Sequence, residues 1–540
     1  MIPSLSIVQQ RSRALSPGIT LCGISKKNFE EALKKFDPNE ELMIAEDGTS
    51  LIIQLEMIGD KIAGFVPKKE VFPTPENVVY SSDEVGIKKA KDLDLATELK
   101  LLVLTGLSPN SPSVVLAALP SKKGETKDFN LKKWEQYLIW CKELNRHIRG
   151  VTSDGDPSFL SAMKAIHSLD CLETTKEDFM IGPDNIPIEI SISRLNGKAF
   201  IAIQDIFHVG TKLRNRIFNH DLLLASASIK FSHLEECVGS QINHSTYNVK
   251  DKMNVASARE ICDIEVQKIM NNSLDKQATA SYLKFMYLAS FGISESKSTE
   301  ELTYNISYSY WFARIWQVIF KGYISNFKME IEKDNLEKKK KKALVNAEMK
   351  KFLTTNQISC IFLNFSSLVT FLLEADPTFR IDPENIGSQQ CEHYFRDLRA
   401  INNSPNQLNA SFNFVEGIQR LGRIDVLAKL KAKNNFQLLN HAKHLKRKEK
   451  SFLIGSVTKD SLTQIITDAY LDVKKELLKF DLDQSFFTSL GKRLPMDPEG
   501  LWEEETLVEG IVFCQNRSTD KKEEKKIINN RRNIIKYDEN

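Results

Sequence analysis

Apolar residues change their period several times along the chain, and each change marks an element. From Ser25, a residue type that caps helices, Phe29, Leu33 and Phe36 recur at helical spacing. Leu42-Met43-Ile44-Ala45 is then a continuous apolar run that stops at Glu46-Asp47. That pattern predicts a buried strand, and 51–55 and 61–66 are two further strand candidates. The spacing predicts a helix over 83–97, strands over 101–105 and 114–119, and a long amphipathic helix over 130–148. Leu131, Trp134, Leu138, Cys141 and Leu144 form its apolar stripe. The turn Ser153-Asp154-Gly155-Asp156-Pro157 opens another helix. Residues 199–203 read as a buried strand ending in Gln204-Asp205, followed by a helix with His208, Lys212, Arg214 and Arg216. Strands alternating with helices place this portion in the α/β class.

From 217 to 385 the pattern is mostly helical, with Trp311, Trp316, Phe320 and Tyr323 on one aromatic-rich helix. Residues 352–373 carry no charge, long enough to cross a membrane. Their many Thr, Ser, Asn and Gln residues favour a buried core helix instead, and no membrane partner is expected. A last amphipathic helix surrounds 391–399. There Cys391, Phe395 and Leu398 share one face, and Glu392, Arg396 and Arg399 share the next.

Composition narrows the function only a little. The 540 residues allow three or four compact units. The net charge is +3, so any nucleic-acid surface must be local. Residues 420–450 are such a locality, with ten Lys/Arg against two acids. Arg420, Arg423, Lys446 and Arg447 lie there and are candidate phosphate contacts; a solvated amphipathic helix is the alternative. Eight cysteines without metal-ligand spacing read as reduced thiols. The first residues lack a continuous apolar stretch of the signal-peptide kind. The expected location is nuclear, or cytoplasmic with import through basic runs such as 445–450. Residues 515–540, rich in Asn, Lys and Glu, read as a disordered tail.

Three acids stand where chemistry gathers in α/β folds. Asp47 ends the first strand, Asp154 lies in the turn after the long helix, and Glu392 sits on the late helix. Carboxylates from separate elements suit two hard divalent ions for phosphodiester chemistry. Each acid also has an ordinary explanation. Asp47 and Asp154 fit turn chemistry, and Glu392 fits a helix pair with Arg396. Asp156 competes with Asp154 for the second place. Lys212, Arg214 and Arg216 fit either DNA phosphates or surface acids.

The wording of these segments resembles the DDE transposases of the P-element kind. The matching runs are Glu46-Asp47-Gly48, Ser153-Asp154-Gly155-Asp156, 204–215 with its Asp205-x-x-His208, and 391–399 with Glu392 and Phe395, spanning roughly residues 40–400. The resemblance implies a ribonuclease-H-like core, a five-stranded mixed sheet flanked by helices and interrupted by a large helical insertion domain. It implies Asp47, Asp154 and Glu392 as catalytic acids binding two Mg²⁺ or Mn²⁺ ions, and Asp205 and His208 as residues behind them. It implies DNA as partner, Mg²⁺-dependent nicking and strand transfer as activity, and a homo-oligomer as the working form.

The expected layout is a leader and helix at 1–40 and the core at 41–216. The insertion follows at 217–385, the closing helix at 386–419, a basic helical region at 420–514 and the tail at 515–540. The family's zinc-dependent DNA-binding module has no counterpart in this sequence. A phosphate-cradling Gly-rich loop is also missing, so no nucleotide is expected. A catalytically silent, transposase-derived DNA-binding or interaction protein is the alternative reading.

Overall fold

The computed structural model describes residues 21–400, 416–421, 424 and 451–490, apart from 59–60, 69–71, 91, 123–124, 248–250, 335 and 483. Its centre is a sheet of seven strands. These are β1 (Leu42–Ser50), β2 (Glu98–Gly106), β3 (Ser113–Ser121), β4 (Gly150–Ser153), β5 (Glu173–Ile181), β6 (Ile186–Leu195) and β7 (Lys198–Gln204). Their order across the sheet is β3-β2-β1-β4-β7-β6-β5. β1, β4 and β7 run parallel in the middle; β2 is antiparallel to both β1 and β3.

The sheet therefore has two strands more than expected. The β5–β6 hairpin adds them beyond β7, its long antiparallel ladder pairing Glu173 with Arg194 through Ile181 with Ile186. β6 shows why it forms. Ile186, Ile188, Ile190 and Ile192 alternate with more accessible residues and all face the core. β5 hides the same role behind Glu, Thr and Lys, because most of its side chains are exposed.

Other boundaries move as well. Residues 51–55 form no strand: Ile52, Ile53 and Leu55 are exposed, and β1 instead continues to Ser50. The helix expected over 83–97 is limited to Glu84–Ala90.

Helices cover both faces. α1 (Lys26–Leu33) and α2 (Lys127–Glu143) pack against Leu42, Ile44, Leu102, Leu104 and Val151 on one face. On the other, α8 (Gln389–Ala400) sets Cys391, Phe395 and Leu398 against Ala45, Leu99, Leu101 and Val103. Adjacent residues of β1 thus look in opposite directions, as strand geometry requires. Between them in sequence come α3 (Pro157–Lys164), α4 (Ile206–Asn219), α5 (Gln277–Leu288), α6 (Thr299–Lys333) and α7 (Thr355–Glu374).

The uncharged helix α7 is an internal element. Among the described residues it is the one helix apolar and long enough to cross a membrane, and most of it is buried. Its polar residues are used against β7. Asn364 exchanges hydrogen bonds with the backbone of Gln204, at 2.8 and 3.1 Å, and Ser367 donates to the carbonyl of Ala202 at 2.5 Å. α7 also packs on α6, where Tyr310 stacks on Phe365 with centroids 4.1 Å apart. Further on, α9 (Lys459–Leu477) lies against α6 and β5, so this part of 420–514 joins the helical layer. The tail at 515–540 lies outside the described residues.

Candidate functional site

The parallel pairing of β1 with β4 stops at Glu46 opposite Ser153, and that of β7 with β4 stops at Gln204 opposite Ser153. Asp47, Asp154 and Asp205 are the next residues on each of the three strands. The ladder between β1 and β2 continues past Asp47, which pairs with Leu101. Asp47 is therefore held as strand on one side and opens toward the sheet's C-terminal crevice on the other. Crevices of this kind collect ligands in α/β folds because they gather side chains from several strands.

Asp47 is 3% exposed. Its Oδ1 accepts the N–H of Gly48 at 2.7 Å, while Oδ2 has no partner. Burial pushes the carboxyl well above its ordinary range, and Asp154, then Glu392, then Asp205 push it the same way. The Gly48 N–H opposes them. Asp154 and Glu392 therefore both lie within electrostatic range of Asp47, and Asp205 acts on it more weakly. They are not in ligating contact: among the described residues, no three His, Cys, Asp or Glu side chains are gathered tightly enough to hold an ion as they stand.

Asp154 and Asp156 have different jobs. Asp156 is the N-cap of α3: its Oδ1 accepts the N–H of Ser158 at 2.8 Å and the hydroxyl of Ser158 at 2.6 Å. Asp154 accepts the N–H of Asp156 at 3.1 Å and is half-buried. Asp156 is thus occupied with helix capping, and Asp154 is the one that couples to Asp47. Lys212 of α4 fixes this turn, donating from Nζ to the carbonyl of Gly155 at 2.5 Å. It comes so close that a Cβ at Gly155 would lie 1.7 Å from Nζ.

Asp205 is fully buried and every direction around its carboxylate is used. Oδ1 accepts from the N–H groups of Phe207 and His208 at 2.8 and 3.0 Å, capping α4. Oδ2 accepts from the N–H of Ser388 at 2.8 Å, the hydroxyl of Ser388 at 2.9 Å and Nε2 of Gln389 at 3.2 Å. His208 lies in the first turn of α4, buried, with Nδ1 unpartnered. Ser388 and Gln389 carried no motif that sequence reasoning had reason to single out.

Glu392 is half-buried one turn into α8. Cys391 beside it is fully buried, with its thiol 3.9 Å from the carbonyl of Leu101. Burial, followed by Asp47, Glu46, Glu392 and Asp205, pushes that thiol far up, so it stays protonated.

The opposite side of β1 is charged too. Glu46 is fully buried, pairs with Lys133 and accepts from the indole of Trp134 at 3.0 Å. Lys133 also meets Glu125 at 3.2 Å, and Glu125 meets Lys100 at 2.8 Å. Burial alone would push Glu125 up, but Lys133 and Lys100 outweigh it and hold the carboxyl down at about 2.

Several candidate DNA contacts are corrected by their partners. Arg214 is buried, bonded to the side chain of Asn215 at 2.8 Å and to the carbonyl of Asp251 at 2.8 Å. Arg216 donates to the carbonyls of Phe352 and Lys350 at 2.7 and 2.9 Å. Arg420 is buried, pairs with Glu416 and donates to the carbonyl of Leu398 at 2.7 Å, satisfying the last turn of α8. These three guanidinium groups are spent on holding elements together, and Lys212 on holding the Asp154 turn. Arg423, Lys446 and Arg447 lie outside the described residues.

No family model matches the chain, and no curated protein matches it. Among solved structures, the Drosophila P element transposase strand transfer complex is similar with a TM-score of 0.46 and 12% identity. The match covers 80% of this chain and 86% of that one.

Proposed function

We propose that the chain is a transposase-related polynucleotidyl transferase, built on a ribonuclease-H-like core, that uses Asp47, Asp154 and Glu392 to cut and join DNA strands. The observation that carries the reading is the buried and unpartnered carboxylate oxygen of Asp47 on β1, with Asp154 from the end of β4 and Glu392 from α8 both near enough to raise that carboxyl. The strand order supports the core. Without the β5–β6 hairpin the remaining five strands, in chain order, lie 3-2-1-4-5 with the second antiparallel. The run of motifs from Glu46-Asp47-Gly48 to Glu392 supports it as well.

An all-carboxylate donor set with an orphan oxygen fits hard divalent cations such as Mg²⁺ or Mn²⁺. Such cations, bound there, would supply the charge that activates an attacking oxygen and steadies the leaving one at a phosphodiester. The chain's own part is to hold the carboxylates. Asp47 is pinned by the β1–β2 ladder, Asp154 by the capped turn and Lys212, and Glu392 by the packed face of α8.

Asp47→Ala, Asp154→Ala and Glu392→Ala are each expected to abolish Mg²⁺-dependent nicking of plasmid DNA while circular dichroism stays unchanged. Undiminished nicking by all three would remove the proposal. A second reading is a catalytically silent, transposase-derived DNA-binding protein. Salt-sensitive DNA binding with no metal-dependent cleavage by the wild-type chain would select it.

A further inference from the structure

We infer that Asp205 is a positioning residue whose carboxylate sets where Glu392 stands relative to Asp47 and Asp154. The inference rests on the functional reading above only in taking those three acids as the cation site. Glu392 is the one acid of the three that lies neither in a main-sheet strand nor directly after one. Its helix reaches the sheet after a separation of 183 residues from Asp205, so its alignment must come from contacts at the point of arrival. Asp205 supplies them. One oxygen caps α4 and the other receives both donors of Ser388 and the amide of Gln389, at the first turn of α8.

The backbone is shaped for this contact. Gly387 has φ +156°, and a Cβ there would stand 3.1 Å from Oδ2 of Asp205. The approach of the chain to the carboxylate therefore favours glycine. Asp205 is also tied to β4 directly, its N–H donating to the carbonyl of Ser153 at 2.9 Å. One fully buried residue thus connects the strand end next to Asp154, the start of α4 and the start of α8. All the hydrogen-bonding directions of its carboxylate that face these elements are taken. Its charge still reaches Asp47, but its hydrogen bonds are committed to alignment. Groups that hold metal-ligating side chains in this way, when altered, weaken cation binding tenfold or more without touching the ion.

Asp205→Asn separates the two halves of the contact. The amide oxygen can still cap α4, while its N–H₂ meets the N–H of Ser388 as donor against donor. Two measurements on the full chain test the inference: hydrogen exchange of residues 386–399 without added metal, and Mn²⁺ binding followed by the paramagnetic signal of the free ion. The expected result for Asp205→Asn is at least tenfold faster exchange in 388–395, unchanged protection in 209–219 and about tenfold weaker Mn²⁺ binding. Ser388→Ala, which removes one donor only, should shift both in the same direction by less.

Wild-type exchange in α8, or Mn²⁺ binding within twofold of wild type, would overturn the inference. Glu392→Gln separates this from failure of the functional reading. If the wild-type chain and Glu392→Gln bind Mn²⁺ equally, the cation site falls. The exchange data then decide whether Asp205 clamps α8.

Discussion

Asp47 carries a conflict that its neighbours do not resolve. Its carboxyl is buried, faces Asp154, Glu392 and Asp205, and leaves one oxygen without a donor. Groups left in this condition cost stability and persist where they serve a function. In the unfolded chain this carboxyl titrates near 3.8, and in the folded chain it holds its proton to a higher pH. The fold therefore loses stability as pH rises above about 4, until the raised pKa is passed. Asp47→Asn removes the charge and should stabilise the metal-free chain at pH 7 by about 0.5–2 kcal/mol. Its thermal midpoint should rise and vary less with pH between 4 and 8. A lower midpoint at pH 7 would contradict the repulsion described here. Asp156 makes the opposite point at the same scale. It lies two residues from Asp154 and is also a carboxylate, but its Oδ1 is bound by both the N–H and the hydroxyl of Ser158, and it is Asp154 that acts on Asp47.

Among the elements, α4 serves the site from its start and from its middle. Asp205 at its start receives α8, and Lys212 two turns later holds the Asp154 turn through the carbonyl of Gly155. Gly155→Ala forces Nζ of Lys212 away, since the new Cβ would sit 1.7 Å from it. The far end of a lysine moves easily, so the cost should be near that of one hydrogen bond, about 1 kcal/mol. Lys212→Met breaks the same bond without adding bulk. Both variants should lower the urea midpoint slightly and reduce nicking by a similar factor; full nicking in either would detach this turn from the reaction. The elements also show what a single sequence can and cannot display. Asp47 and Asp205 were readable because an apolar run gives way to acid or amide just before each, and Asp154 because it opens the turn Asp154-Gly155-Asp156-Pro157. The isoleucines at 186, 188, 190 and 192 alternate as a strand should, but Pro187 among them and the polar residues of β5 obscure the hairpin. The run at 51–55 misled in the other direction, since apolar residues in an exposed connection copy the signature of a strand. The partners of Asp205 were beyond reach. Ser388 and Gln389 acquire their meaning only when the fold brings α8 to the end of β7. Arg214, Arg216 and Arg420 misled for the same reason, because composition counts a buried cap and a phosphate contact alike.

Across the whole molecule, the two faces of β1 carry opposite electrostatic designs. One face concentrates unpaired acids, and the other buries a balanced set in which Glu46 and Glu125 meet Lys133 and Lys100. This set joins β1 and β2 to α2, and the two ammonium groups also lie over the ring of Phe159 at the start of α3. The anchoring of Asp47 thus extends through the sheet to the far layer. Buried pairs add little over an apolar replacement of the whole set, but removing one member strands its partners. Lys133→Met leaves Glu46 with the Trp134 indole alone and Glu125 with Lys100 and the Ser121 hydroxyl. The expected loss is about 3–5 kcal/mol at pH 7, read from the urea midpoint. Adding Glu46→Gln to the same chain should recover part of it, because the stranded charge is then gone. Acid gives a second check. Glu125, held at about 2 when folded and near 4.5 when unfolded, contributes stability that is full above about 4.5 and fades as pH falls toward 2. Lys133 supplies much of that shift, so Lys133→Met should lose less further stability than wild type between pH 5 and pH 2. Equal acid sensitivity in the two chains would mean that Lys100 alone holds Glu125, and that the layers are coupled through packing instead of charge.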